Sequence, residues 1–132
     1  MLDTVIKEIE SAVGTDDFEF IMEENIMKLE VEGVGIEAVT PLLELMERHP
    51  MDDFGMPGAI VHFVERFYKN GYEELLVESV KRRPTMHTVW MLNRVMNGSE
   101  NKNDYLEIMK EVTERSDVEE AIKNSASEFM DR

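Results

Sequence analysis

At 132 residues the chain has the length of one domain, and 42% hydrophobic residues is enough to build a substantial core. A formal net charge of −15 and a pI near 4.5 argue against duplex nucleic acid or an anionic membrane as a direct partner, since both repel such a field, and favour a basic one. With no cysteine there are no disulfides and no thiol chemistry, and the start MLDTVIKEIESAVG lacks the basic flank and apolar run of a signal peptide, so a soluble cytoplasmic protein without a membrane span is expected.

The first segment sets Leu2, Val5, Ile6, Ile9 and Val13 at helical spacing, with Asp3, Lys7, Glu8 and Glu10 on the other side, and Gly14 ends it. Asp16, with Glu19 three residues on, reads as the capping pair of a second helix. That helix has an apolar stripe of Phe18, Ile21, Met22, Ile26 and Leu29, with Asn25 on the same side. Gly33 and Gly35 bracket a turn. A third helix carries Ile36, Val39, Leu43 and Met46 and closes at His49-Pro50; Pro41 either kinks it or lies at its first helical position with Thr40 as cap. The loop Met51-Asp52-Asp53-Phe54-Gly55 joins two carboxylates to two large apolar side chains. It suits a contact surface or a plain connector in which Met51 and Phe54 plug the core.

Met56 to Gly98 is the organising block, three apolar-periodic segments divided only by Gly71 and Pro84-Thr85. Pro57 is expected to open the first, with Ile60, Phe63, Val64, Phe67 and Tyr68 turned inward, and the second buries Tyr72, Leu75, Leu76 and Val80. In the third, Met86, Val89, Trp90 and Met96 share a side while Leu92 and Val95 point elsewhere, so it is central, and His87, Met91 and Arg94 are left as its open side. Trp90 is then either core or the floor of a groove with His87 and Arg94 at its lip. Asn97-Gly98 stops that helix, Tyr105, Leu106, Ile108, Met109 and Val112 make another, and a capping box from Ser116 to Glu119 starts the last, with Val118, Ile122 and Phe129.

No stretch alternates as a strand would. The expected fold is one all-α domain of seven to eight helices in antiparallel pairs, either a short HEAT-like stack or an irregular bundle. A loose repeat underlies the first option: His49-Pro50 and Arg83-Pro84 stand 34 residues apart, and VHFVERFYKNG aligns with VWMLNRVMNGS 28 residues on.

Chemistry-bearing motifs are missing. His49, His62 and His87 are far apart in sequence, and a His62–Glu65 pair is more simply a hydrogen bond than half of a metal site. No phosphate loop, nucleophile elbow or dinucleotide fingerprint occurs, so a non-catalytic protein without cofactor or metal is expected. Charge is uneven: residues 1–55 hold 15 acids and 3 bases, residues 56–99 hold 4 and 6, and residues 100–132 hold 10 and 5. The acidic field therefore belongs to the N-terminal third, while Lys81, Arg82 and Arg83 form a basic knot in the middle.

The run GMPGAIVHFVERF followed by TVWMLNRVMNG, within residues 40–98, resembles the small HEAT-like helical immunity proteins of bacterial polymorphic toxin systems. The resemblance implies a cytoplasmic inhibitor that binds a cognate toxin domain, often a nuclease, and blocks its active site or substrate groove. A nuclease must be basic to hold nucleic acid, so an acidic face would steer and salt-sensitise its binding. The residues expected on that face are Asp16, Asp17, Glu19, Glu23, Glu24, Asp52 and Asp53, then Glu44 and Glu47, with Met51 and Phe54 as apolar anchors. The competing reading is a HEAT-like adaptor or regulatory subunit that holds a partner peptide or helix through His87, Met91 and Arg94, with weak salt dependence.

Overall fold

The computed structural model describes residues 1–131, which form eight α-helices and one 3-10 turn, with no strand among them. The helices are α1 (Leu2–Ala12), α2 (Phe18–Val31), α3 (Val39–Arg48), α4 (Ala59–Glu65), α5 (Tyr72–Arg82), α6 (Met86–Asn97), α7 (Lys102–Thr113) and α8 (Glu120–Met130); the 3-10 turn, Ile36–Ala38, runs directly into α3. None of the helices is long and apolar enough to cross a membrane.

Each helix buries the apolar stripe its spacing provides: Val5 and Ile9 on α1, Leu42, Leu43 and Met46 on α3, Leu76 and Val80 on α5, Met109 and Val112 on α7. One cluster of buried side chains draws on all eight helices. The packing has an order. α1 packs on α2, α5 on α6 and α7 on α8, while α1–α3–α5–α7 touch in succession, as do α2 with α4 and α6 with α8. Contact with both the next helix and the one after it is the order of stacked helix pairs. The pattern breaks around α4, which packs chiefly on α2 rather than on α3, α5 or α6; residues 49–58 intervene before it, and α6 packs on α3 instead.

Several boundaries differ from the sequence expectation, each for a local reason. Pro41 does not kink α3: it falls in the first turn, where its missing N–H has no intrahelical acceptor to lose. Pro57 does not open a helix either: it lies in the turn before α4, which starts at Ala59 with Gly58 at its cap position. The Gly55 to Gly58 turn is tight, with Gly55 at φ 88° and no room at Gly58 for a Cβ, which would strike the Phe54 carbonyl oxygen. The chain also leaves α4 after Glu65, so Phe67 and Tyr68 are only half-buried. At the start of α2, Asp17 rather than Asp16 holds the cap position, and its side chain makes no capping bond.

The expected capping box at Ser116 to Glu119 does not form, because Glu119 instead receives Arg83 at 2.8 and 2.9 Å. The true box opens α6. There the Thr88 N–H donates to Thr85 Oγ1 at 2.9 Å and the Thr85 N–H to Thr88 Oγ1 at 3.0 Å. The two arginines of the basic knot are likewise spent on the fold, while Lys81 is exposed. Arg82 donates to Glu47 at 2.7 and 3.2 Å, and Arg115 donates to the Lys81 and Arg82 carbonyls at the end of α5.

Candidate functional site: an acidic groove beside α2

α2 has more apolar residues than one face can hold. Met22, Ile26 and Leu29 turn inward with Asn25, whose amide donates to the Ile21 carbonyl at 2.9 Å, and α1 and α4 pack on the helix. Phe20, Met27 and Val31 are left on the surface, 66%, 62% and 78% exposed. Glu19 and Glu23 run between these two faces.

Residues 53–58 cross beside this helix and are pinned from below. The Phe54 N–H donates to His87 Nε2 at 2.8 Å, and the Phe54 ring sits edge-on against Phe18 on one side and His87 on the other, both at 5.5 Å. The aromatic line continues from His87 to Trp90 at 6.5 Å, and the Arg94 guanidinium lies 4.9 Å over the indole while binding Glu65 at 2.7 and 3.0 Å. Because Nε2 accepts, the neutral ring carries its proton on Nδ1, which is buried with no hydrogen-bond partner among the described residues. Burial pushes the His87 ring below its ordinary value, against the opposing pull of Asp53, whose Oδ1 lies 3.6 Å from Nε2. That same Oδ1 accepts the Gly55 N–H at 2.7 Å, which sets the loop's turn.

Between α2, this loop and the start of α4 lies a groove of about 400 Å³. Phe18, Met22 and Phe54 supply its apolar floor, Glu19, Glu23 and Asp53 its acids, and His62 one end. Acids 30 residues apart in sequence thus face a shared hollow, where they can accept from Lys or Arg side chains over an apolar base.

The remaining expected site residues distribute as follows. Asp16 and Asp17 are exposed at the N-terminal end of α2, and Glu24 is exposed on its outer side. Met51 and Asp52 are exposed in the loop outside the groove, with Asp52 3.5 Å from His49. Glu44 lies elsewhere, beside α1 in a hollow with Asp3, Lys7 and Arg48. Three expectations are corrected. Glu47 is no free contact residue: its side chain is 12% exposed and is held by Arg82 and Ser79. Phe54 is core rather than a surface anchor. His87, at 1% exposure, and Met91 are buried because α3, α5, α7 and α8 all pack on α6, and the side of the helix left open is instead that of Trp90, Asn93, Arg94 and Asn97. Of that second surface only Arg94 stays exposed, and Glu65 and Trp90 engage it.

Phe20, Met27 and Val31 lie outside the surfaces expected from the sequence. Their signal was present in the spacing of seven and four residues, a second stripe opposite the first. Among the described residues, no three His, Asp or Glu side chains gather in a way that could hold a metal ion. Comparison of the chain with protein-family models, curated proteins and solved structures gives no match.

Proposed function

We propose that this chain is a non-catalytic binding protein that inhibits a basic, nuclease-type toxin domain, in the manner of an immunity protein, through the acidic face beside α2. The observation that carries the reading is the convergence of Glu19 and Glu23 with Asp53 over the Phe18, Met22 and Phe54 floor. A basic protein that grips phosphates presents Lys and Arg side chains at nucleic-acid spacing, and a ridge of carboxylates competes for them. The apolar floor adds desolvated area, which charge alone does not provide. A HEAT-like arrangement, in which neighbouring helices build a continuous binding surface, would go with this reading, and the packed pairs α1–α2, α5–α6 and α7–α8 are what speaks for it.

The test begins with the tagged protein isolated from its native cells at low and at high salt, with the retained proteins identified by mass spectrometry. A basic domain held at low salt and released by high salt is the expected result. The purified chain should then block that domain's cleavage of nucleic acid, and the combined E19K, E23K and D53K variant should not. A partner that is not basic, or whose retention ignores salt, overturns the reading.

A further inference from the structure

The outer face of α2 meets nothing inside the protein. Phe20, Met27 and Val31 fall within a narrow arc opposite Met22, Ile26 and Leu29, and the stripe they form runs about 16 Å along three turns. A helix with apolar side chains on two opposite faces can bury only one of them against its own core, and three large apolar side chains left exposed along the other mark a contact surface. The groove lies on the other side of the Glu19–Glu23 ridge, so the stripe is a separate feature that shares one border with it.

The border decides what can cover the stripe. Helical spacing puts Glu19, Glu23 and Glu30 along one side, with Glu30 3.7 Å from Arg66, and Glu24 along the other. Residues 16–32 contain seven acids and a single base, Lys28, which is 3.5 Å from Glu8. A second copy of the chain would press acidic borders of like sign together, and an anionic lipid surface or a nucleic acid meets the same repulsion. A protein helix with an apolar stripe edged by Lys and Arg satisfies both parts of the surface.

We infer that the outer face of α2 docks a basic amphipathic helix of a partner protein, three to four turns long, with its apolar side on Phe20, Met27 and Val31 and its cations on Glu19, Glu23 and Glu24. The inference rests on the reading above only in taking the partner to be basic. It adds that the contact is helix on helix and that it lies outside the groove.

The test uses the full chain and two labelled peptides of about 18 residues, five helical turns. One is an amphipathic Leu/Lys helix and the other has the same composition scrambled, and binding is followed by fluorescence anisotropy at low and moderate salt. The amphipathic peptide should bind the chain at least tenfold more tightly than the scrambled one. The combined F20S, M27S and V31S variant should lose at least tenfold in affinity for it with an unchanged melting temperature, because these side chains touch no core. E19K with E23K should weaken binding and flatten its salt dependence. Equal binding of the scrambled peptide, or full binding by the triple serine variant, overturns the inference. So does a dimer in sedimentation that the serine substitutions dissolve, which would assign the face to a second copy. The two readings separate cleanly in one further comparison. A basic toxin domain inhibited as well by the serine variant sinks the helix-docking inference alone, while selective peptide binding without any such domain in the native cell sinks the inhibitor reading alone.

Discussion

His87 gives the most direct handle on the loop that carries Asp53 and Phe54. Its Nε2 accepts the Phe54 N–H at 2.8 Å in a site where the ring is 1% exposed, so a second proton would place an N–H against an N–H and a charge inside the core. The folded state therefore holds the ring below its ordinary value, chiefly through burial, while the unfolded chain protonates it near pH 6.5. For a group depressed in this direction the unfolded state binds the extra proton first. Stability is then fully present above about pH 6.5 and falls as pH drops below it, at up to about 1.4 kcal/mol per pH unit. Integrated from pH 7 to 5.5, the loss reaches at most about 1.3 kcal/mol. Urea unfolding of the wild type and of H87Q, whose amide oxygen can still accept from Phe54, isolates this contribution, since every other titrating group is common to both. The wild-type stability should drop more steeply across that window, and the protection of the Phe54 amide against exchange, taken relative to its intrinsic rate at each pH, should fall below pH 6. Parallel pH profiles for the two proteins would refute the neutral, accepting ring.

Other substitutions test the packing around the site. The Tyr72 hydroxyl is buried without a hydrogen-bond partner among the described residues, and burial with the nearby Glu65 raises its pKa well above the ordinary range. Y72F should accordingly leave the melting temperature unchanged or raise it, by the equivalent of up to about 1 kcal/mol, and a clear fall would show the hydroxyl to be satisfied. Replacing Phe54 with alanine removes a fully buried ring that joins Phe18 to His87 and should cost about 3–5 kcal/mol in denaturant unfolding. The Arg115 guanidinium holds the Asp117 carboxyl down at about 2. What that pair contributes is present above the ordinary carboxyl range and lost as pH falls toward 2, so an NMR titration should move the Asp117 midpoint up toward 3.8 in R115Q.

Much of the helical architecture was legible in spacing alone. The apolar periods, the Gly14 and Gly71 breaks and the Asn97-Gly98 stop place the helices, because a stripe repeating every three or four residues can be buried only by a helix. Ends were harder to read: Ser116 to Glu119 has the composition of a capping box, yet Glu119 is taken by Arg83 from a distant helix, a competition that no local window contains. The acidity of the N-terminal third was also plain in the chain, whereas its distribution was not. Glu47 and Glu19 look alike in sequence, but α5 approaches α3 and spends the first on Arg82, while the second faces a groove and has no ion pair among the described residues. His87 and Met91 looked open because one helix considered alone always has a polar-enough side, and they are buried because four other helices crowd α6. Periodicity tells which residues of a helix share a face; which of those faces meets another helix depends on contacts between residues far apart in the chain, and that is what leaves Phe20, Met27 and Val31 in solvent and sets Asp53 across a groove from Glu19 and Glu23.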